Sequence, residues 1–297
     1  MDTITIKSPA KINLCLSVLG KRPDGYHDVE MLMQMVGLYD EVTVTLAQTG
    51  GISVTCNAGT VPQDERNTAW KAAAEMLKVS GSKLGLAIDI KKNIPVAAGL
   101  AGGSGNAAAV LAGANRLLGT GLPIEKLAEI GTQIGMDVPF FFHGPLAVAQ
   151  GRGEILTSLP PLPPFWVLLA NPGFETSTAW VYKNLNLRLT KKVDCNKIAR
   201  LTIRDIASGL HNDLETVTKA AHPEIGVMEE GLSAQGALGV LMSGSGPTVF
   251  GVFETEDACR TAARNLAPEG WRLFPAAILT ESPISEHLTR GQRVPSA

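Results

Sequence analysis

The sequence has few aromatic residues, little net charge and no long apolar run, and the last two of these shortages each exclude a class of protein. Aromatic residues make up 5% of the 297 residues, and the formal net charge is −2 at pH 7. A chain of this charge lacks the basic surface that binds nucleic acid or anionic membranes. No apolar run approaches the roughly 20 residues that a helix needs to cross a bilayer. We therefore expect a soluble globular protein whose partners include neither nucleic acid nor membrane.

Cysteine is also scarce, and its positions are scattered: Cys15, Cys56, Cys195 and Cys259. They form no C-x-x-C pair and no Cys/His spacing typical of a zinc site, so we predict thiols in a reducing compartment. The N-terminal residues, MDTITIKSPAKINL, lack the basic segment and apolar core of a secretory signal. The expected location is cytoplasmic. Since the sequence shows no interpretable interface, the expected state is a monomer or a weak homodimer.

What the sequence does contain is a glycine-rich stretch, PVAAGLAGGSGNAAAVLAGANRLL, at residues 95–118. Its glycines let the backbone come close to a ligand. Ser104 stands where a helix N-cap is expected, and the apolar positions from Ala107 onward recur at helical spacing. A loop that leads free N–H groups into a helix N-terminus is a site for an anion, most often phosphate. The alternative is that the glycines serve only close packing of the loop on a sheet.

Two common glycine-loop motifs do not fit this stretch. A P-loop requires G-x-x-x-x-G-K-[ST], and no lysine follows these glycines. The dinucleotide pattern G-x-G-x-x-G/A is met only loosely by Gly103, Gly105 and Ala108, and the helix is followed by a loop, GTGLPIEK, at 119–126. The sequence therefore argues against a dehydrogenase, and only tight binding of NAD would support that interpretation.

Periodicity along the chain predicts an α+β protein of two domains, at 1–158 and 165–285, with a flexible tail at 286–297. The proline-rich segment LPPLPPF at 159–165 is the predicted linker. We also expect a hairpin around Gly50 and Gly51, a helix capped by Asn67, and a moderately helical stretch at 196–210. The predicted strands are 3–7, 12–18, 42–47, 52–56, 86–91, 146–150 and 165–170, and a second helix is expected at 124–134.

Several polar residues stand at positions that suggest chemistry. Asp137 precedes the apolar run VPFFF, where an acid must be partnered or functional because isolated burial of a charge is costly. Lys11 and Asn13 are predicted at the start of the second strand, after a turn at 8–11. Tyr26 and His27 follow a Pro-Asp-Gly turn signal, although such a pair on a loop is usually only surface.

Three motifs in order carry a family resemblance: SPAKINLCL at 8–16, PVAAGLAGGSGNAA at 95–108 and MSGSGPTVFG at 242–251. Together they resemble the signature of the GHMP superfamily of small-molecule kinases, named for galactose, homoserine, mevalonate and phosphomevalonate. The segments KRPDGYHDVEMLMQ at 21–34 and GMDVPFFFHG at 135–144 narrow the resemblance to one branch, and it extends from about residue 5 to residue 276.

The resemblance implies a two-domain GHMP kinase fold. Its N-terminal domain is like the second domain of ribosomal protein S5, its C-terminal domain is α+β, and the active site lies in the cleft between them. The implied cofactors are ATP and Mg²⁺. The implied activity of this branch is transfer of the ATP γ-phosphate to the 2-hydroxyl of a cytidylyl-methylerythritol substrate.

The matching positions also imply residue roles. Asp137 matches the catalytic base, and Lys11 matches the lysine that keeps it ionised and stabilises the developing alkoxide. Ser104 is implied as a magnesium or phosphate contact. The implied nucleotide-binding residues are Pro95, Val96, Ala97, Ala98, Gly99, Leu100, Ala101, Gly102, Gly103, Ser104 and Gly105, with Asn67 and Asn115 at the adenosine. The implied substrate-binding residues are Asn13, Tyr26, His27, Tyr182, Gly244 and Ser245, with His27 bonding to the base and the tyrosines stacking on it.

Two departures from the family pattern accompany these assignments. Gly105 replaces the second serine of the phosphate loop, which we expect to loosen the loop, and Met136 replaces a small residue before Asp137. Two alternatives stay open at this point. One is another kinase of the superfamily, acting on homoserine or mevalonate, against which the DGYH sequence at 24–27 argues. The other is a nucleotide-binding protein without catalysis, against which Lys11 and Asp137 argue.

Overall fold

The structure is a computed structural model that describes residues 2–187 and 202–289. Its strands are β1 (Thr3–Lys21), β2 (His27–Ala47), β3 (Ile52–Cys56), β4 (Gly85–Lys91), β5 (Leu146–Gly151), β6 (Ile155–Ser158), β7 (Trp166–Asn171), β8 (His211–Asn212), β9 (Val240–Met242), β10 (Val249–Phe253) and β11 (Arg272–Ala277). Its helices are α1 (Thr68–Ser80), α2 (Gly102–Leu117), α3 (Ile124–Ile134), α4 (Phe140–His143), α5 (Thr178–Asn184), α6 (Ile203–Ser208), α7 (Glu215–Ala221), α8 (Glu224–Ala234), α9 (Glu256–Leu266) and α10 (Ser285–Thr289).

Two sheets organise the chain. The first has the order β3-β4-β2-β1-β8, and β5 pairs with the first half of β2 and with β6. The second has the order β11-β7-β10-β9 and is antiparallel throughout. The predicted α+β class is confirmed.

The sheets pack face to face, and helices cover their outer sides. In β7, Val167 and Leu169 point into the core shared with the first sheet, whereas Leu168 and Ala170 point toward α8 and α9. This alternation is the two-residue period of a strand buried on both faces. α1, α2 and α3 contribute to the core on the other side of the first sheet. The result is four layers in the order helix, sheet, sheet, helix.

The first two predicted strands are in fact one. β1 runs without interruption through the turn expected at 8–11, and Lys11 pairs with Met35 of β2. The register shifts between Pro9 and Ala10 and again between Asn13 and Cys15. Such shifts are β-bulges, which absorb a proline and re-aim side chains without ending a strand.

The hairpin predicted around Gly50 and Gly51 is wrong. β3 pairs in parallel with β4, and β4 lies between β3 and β2. The backbone at Gly85 lies close to the segment before β3, because a Cβ built on Gly85 would lie 2.5 Å from the Gly51 carbonyl oxygen.

Two helix predictions are confirmed. Asn67 caps α1 by accepting a hydrogen bond from the Ala69 N–H, and α3 spans the predicted 124–134.

The two halves are less separate than the linker suggested. β8 pairs with β1, Ile278 bridges to Val36, and Ile284 is fully buried in the first core. Part of the segment predicted as a tail is the helix α10, while residues 290–297 lie outside the described residues. Of the helical stretch predicted at 196–210, α6 covers 203–208, and residues 188–201 are not described.

Two further expectations concern cysteines and membranes. Cys56 and Cys259 are free, but Cys15 is disulfide-bonded, which contradicts its prediction as a thiol; Cys195 lies outside the described residues. None of the helices within the described ranges is long and apolar enough to cross a membrane.

Candidate active site

A cleft of about 1180 Å³ opens where β1, the loop before α2, the turn before α4 and the β9–β10 turn meet. The structure brings nearly all of the predicted site residues to it. The exceptions are Leu100, Gly105 and Asn115, which do not line the cleft.

In the loop before α2, every second residue from Ala97 to Ala101 has a left-handed backbone conformation. Ala97, Gly99 and Ala101 have φ values of +48°, +75° and +53°. The left-handed region is uncommon for alanine, so two such alanines indicate a backbone held in place by its surroundings. The helix that follows has no side-chain cap, and its first internal hydrogen bond runs from the Gly105 N–H to the Ala101 carbonyl. The amides of the first turn therefore stay available to an anion in the cleft.

This geometry corrects the prediction for Ser104. The N-cap residue is Ala101, and Ser104 lies inside the first turn of α2, where its side chain lines the cleft. The helix starts earlier than the sequence indicated because the glycines at 102 and 103 adopt helical conformation instead of extending the loop.

Gly105 lies in the first turn of α2 and not in the loop that it was expected to loosen. It is buried against β1, and a Cβ built on it would lie 2.6 Å from Ser8 Oγ and 3.1 Å from the Pro9 carbonyl oxygen. The missing side chain lets α2 approach β1 closely. The Leu100 side chain is likewise part of the core, with 1% of its surface exposed.

Hydrogen bonds join the three sequence motifs at one point. The Lys11 N–H donates to the Leu100 carbonyl at 3.1 Å, and Ser243 Oγ donates to the Gly99 carbonyl at 3.0 Å. Ser243 Oγ also accepts from the Asn13 N–H at 3.4 Å. Gly99 leaves no room for a side chain, since its Cβ would lie 2.0 Å from the Ser243 carbonyl oxygen. Segments that are far apart in the chain, by up to 230 residues, thus meet at one point.

Lys11 is a buried cation with two polar neighbours. Its side chain lies on the bulged part of β1, and its Nζ donates to Asn13 Oδ1 at 2.5 Å. Burial lowers the pKa of Lys11, and the negative charge of Asp137 opposes that shift. Asp137 itself is half-buried in the turn between α3 and α4, beside Met136, and both line the cleft.

Aromatic residues gather at the other end of the cleft. The rings of His27 and Tyr182 are stacked, with centroids 5.1 Å apart and planes 29° apart. Tyr26 is 52% exposed, and the guanidinium of Arg152 lies 5.1 Å from its ring centroid. Burial, and after it the charge of Lys21, lowers the pKa of His27. In this arrangement Tyr182 stacks on the histidine, and Tyr26 faces an arginine.

The two asparagines predicted at the adenosine are placed differently. Asn67 caps α1 and also lines the cleft, so its role as a helix cap does not remove it from the site, and its contact with adenosine stays a prediction. Asn115 lies near the C-terminal end of α2, where its amide bonds to Leu122 and Thr120. At about 1.5 Å per residue, the helix carries it some 20 Å from the phosphate loop. The structure therefore does not bring Asn115 to the site.

Sequence reasoning missed most of the cations in the cleft. Among the described residues that line it, one is acidic, Asp137, and six are basic: Lys11, Lys21, Arg66, Lys92, Arg152 and Lys183. Lys92 is buried, forms an ion pair with Asp40, and has its Nζ 2.7 Å from a Cβ built on Gly102. A near-neutral chain can hide such a concentration because composition averages over the whole surface.

The chain resembles known proteins in both sequence and structure. The family described as GHMP kinases N terminal domain matches residues 67–145, and GHMP kinases C terminal matches 197–272. A relative from Geobacter metallireducens, named 4-diphosphocytidyl-2-C-methyl-D-erythritol kinase, is 51% identical over 90% of this chain and 95% of its own.

Solved structures agree with the sequence relatives. A crystal structure of 4-(cytidine 5'-diphospho)-2C-methyl-D-erythritol kinase superposes with a TM-score of 0.82 at 33% identity, covering 93% of this chain and 99% of that one. Homoserine kinase from Cytophaga hutchinsonii gives a TM-score of 0.73 at 18% identity, covering 95% of this chain and 96% of its own. The latter likeness concerns the fold alone.

Proposed function

This chain belongs to the GHMP kinase family, and we propose that its cleft transfers the γ-phosphate of ATP to the 2-hydroxyl of 4-diphosphocytidyl-2-C-methyl-D-erythritol. The substrate follows from relatives of that name at about half identity over most of the chain. The observation that carries the mechanism is the meeting of Lys11, the glycine-rich loop and the β9–β10 turn at one cleft that also holds Asp137.

The triphosphate of ATP would lie against the loop at 95–105 and the N-terminus of α2. Phosphoryl transfer needs positioning and neutralisation of charge more than covalent help. The uncapped amides of the first turn supply donors, and the helix dipole favours a negative group there. The buried ammonium of Lys92 also lies beside Gly102, where its ion pair with Asp40 holds it in place.

The acceptor hydroxyl would lie between Lys11 and Asp137. Asp137 takes the proton of the hydroxyl, the oxygen forms a bond to the γ-phosphorus, and the bond from that phosphorus to the β–γ bridging oxygen breaks to release ADP. Lys11 would stabilise the alkoxide character that develops on the oxygen, because its ammonium is held in the cleft by Asn13. Removing water from this partly buried pair strengthens both interactions.

The residues present fit a magnesium ion that arrives with ATP. Magnesium prefers oxygen ligands and usually keeps several waters and phosphate oxygens. Ser104 and Asp137 offer a hydroxyl and a carboxylate in the cleft, and Asn106 Oδ1 is buried without a hydrogen-bond partner among the described residues. No group of three or more His, Cys, Asp or Glu within that part of the chain could hold a metal alone. When bound, magnesium would neutralise charge on the phosphates.

The cytidylyl half of the substrate would occupy the aromatic end of the cleft. Stacking of a base on an aromatic ring contributes roughly 1–3 kcal/mol in nucleic-acid sites. His27 already stacks on Tyr182, so the base would either extend that stack or take the place of one ring. Gly244 and Ser245 would approach the diphosphate.

We also propose a cytoplasmic location, where ATP is available. The monomer or weak homodimer expected from the sequence stays a prediction.

The test is an ADP-release assay with Mg-ATP and 4-diphosphocytidyl-2-C-methyl-D-erythritol, comparing the wild type with Asp137→Asn. We expect wild-type turnover, and a loss of about 10²–10⁴-fold in kcat in the variant, which is the usual contribution of a general base. Binding of both ligands by calorimetry should survive, since the variant keeps the size of the side chain.

Two controls separate the parts of this proposal. Homoserine and mevalonate, supplied instead of the cytidylyl substrate, should not be phosphorylated by the wild type. If the wild type phosphorylated homoserine or mevalonate but not the cytidylyl substrate, the proposed substrate would be wrong. A fully active Asp137→Asn enzyme would keep the substrate but remove Asp137 from the role of base.

A further inference from the structure

The turn between β5 and β6 directs an arginine into the cleft that the mechanism above does not use. Arg152 stands between Gly151 and Gly153, whose φ values are +72° and +112°. Both lie in the region that favours glycine. A Cβ on Gly153 would also lie 3.0 Å from Met31 Cε, which is part of the cleft wall. The GRGE sequence at 151–154 thus builds a tight turn whose arginine lines the cleft.

Glu154 fixes the backbone amide and the Nε atom of Arg152. Its Oε2 accepts a hydrogen bond from the Arg152 N–H at 2.6 Å, and its Oε1 accepts one from Arg152 Nε at 3.2 Å. Backbone and side chain of Arg152 are therefore held by one carboxylate. Because that carboxylate engages Nε, the Nη end of the guanidinium is left to interact on the side of the cleft.

This guanidinium lies against the ring of Tyr26, and its charge also interacts with Asp24 of the same loop. The loop that carries Tyr26 closes on itself: the Arg22 N–H donates to the Tyr26 carbonyl at 2.8 Å, and the Arg22 side chain pairs with Asp24 and Asp28. These bonds fix the backbone of the loop but leave the ring half exposed. Arg152, 5.1 Å from the ring centroid, is the cation that faces it from the neighbouring β5–β6 turn.

We propose that Arg152 is a positioning residue for the cytidylyl group, acting by holding the Tyr26 ring in the orientation in which it meets the base. This inference rests on the proposed function, which places the base beside Tyr26. A cation–π contact restricts where a ring can lie without blocking its other face. The arginine acts through Tyr26, so its effect should disappear when the ring is removed.

A double-mutant cycle tests this dependence. The dissociation constant of cytidine 5'-monophosphate is measured by calorimetry for wild type, Arg152→Met, Tyr26→Ala and the double variant. For a contact at a partly exposed site we expect Arg152→Met to weaken binding about two- to fivefold. Tyr26→Ala should weaken it more, and the double variant should bind like Tyr26→Ala. Arg152→Lys, which keeps a cation, should lie between wild type and Arg152→Met.

Kinetics provide the readout that a merely structural role would not give. Arg152→Met should raise KM for the cytidylyl substrate by a similar factor, with kcat and KM for ATP unchanged. The matched control is Arg260→Met, since Arg260 lies 5.9 Å from the Trp166 ring centroid in a part of the protein that does not line the cleft. It should leave all three constants as they are.

Three results would overturn the inference: additive losses in the cycle, no change with Arg152→Met, or an equal rise in KM for ATP. Additive losses would mean that the arginine contacts the ligand directly. A wild type that binds cytidine 5'-monophosphate but shows no turnover would contradict the proposed reaction, and the binding cycle would still decide the role of Arg152.

Discussion

Among single residues, Lys11 shows how the fold keeps a charge where the chemistry needs it. A buried ammonium is costly unless it is paired and hydrogen-bonded. Burial lowers the pKa of Lys11, while Asn13 Oδ1 and the charge of Asp137 favour the ammonium form. Because those two partners come from different parts of the chain, the cation is stabilised only when β1 and the turn before α4 are both in place.

Gly99 is a second residue on which the site depends. It has a left-handed φ of +75°, and its Cβ would overlap the Ser243 carbonyl oxygen. We expect Gly99→Ala to force the glycine-rich loop and the β9–β10 turn apart. The predicted result is a fall of about tenfold or more in kcat/KM, since small displacements from reactive geometry cost rates of that order. Steady-state kinetics with both substrates measures it.

Gly121→Ala is the matched control for this prediction. Gly121 has a similar φ of +60°, but nothing lies within 4 Å of a Cβ built there. This substitution should cost about 1 kcal/mol of stability through backbone strain and leave kcat/KM unchanged. If both variants showed the same kinetics, contact between loop and turn would not be what Gly99 provides.

Among the elements, α7 and the strand before it hold the β9–β10 turn in place. Glu215 Oε1 accepts from the Met242 N–H at 2.8 Å, and Thr218 Oγ1 donates to the Ser245 carbonyl at 3.2 Å. Asn212 Nδ2 donates to the carbonyls of Met242 and Gly244. The turn that is proposed to meet the substrate diphosphate is therefore supported by elements outside the cleft.

This support should be pH-dependent. Burial, and after it a hydrogen bond with Glu229, raises the pKa of Glu215 to about 8 from a reference value of 4.5. A carboxyl whose pKa is raised on folding stabilises the protein fully below its unfolded pKa, and this stability is lost as the pH rises through the folded pKa. We expect the free energy of unfolding to decline between about pH 4.5 and 8 through this group. Glu215→Gln, which does not titrate, should flatten that decline.

Urea denaturation at several pH values measures the difference between wild type and variant. Glu256→Gln serves as the control, because Glu256 is an exposed residue of α9 that pairs with Arg260 on its own helix. It should not change the slope of stability against pH. Equal slopes for wild type and Glu215→Gln would show that folding does not raise the pKa of Glu215.

On the scale of the whole molecule, the two sheets share one core. Ile12, Leu14 and Leu32 of the first sheet are fully buried together with Val167 and Phe250 of the second. Each half alone would expose this surface to water, at about 25 cal/mol per Å² of apolar area. The cleft lies between parts that are joined below it, so its walls are set by a common core.

We therefore expect the full chain to unfold in one cooperative transition and the fragment 1–158 not to fold alone. Circular dichroism and tryptophan fluorescence should give the same urea midpoint for the full chain, since Trp70 reports on the first half and Trp166, Trp180 and Trp271 on the second. A fragment 1–158 with cooperative unfolding of its own would contradict this prediction and show that the first half folds independently.

The sequence alone determined the features that are written locally. Asn67 caps a helix because its side chain reaches an amide two residues on, and α3 follows from apolar spacing within 11 residues. The order of the three motifs pointed to the family and to a phosphate site. Each of these depends on residues that are neighbours along the chain, or on a pattern of such neighbours.

Only the tertiary structure decided which distant segments meet. β3 pairs with β4 instead of β2, and Arg152 reaches the cleft from the turn after β5. No local pattern contains these outcomes, because each depends on which apolar faces are buried against each other across more than 30 residues of chain. The physical reason is that hydrogen bonding and periodicity act between near neighbours, whereas burial is settled by the whole fold.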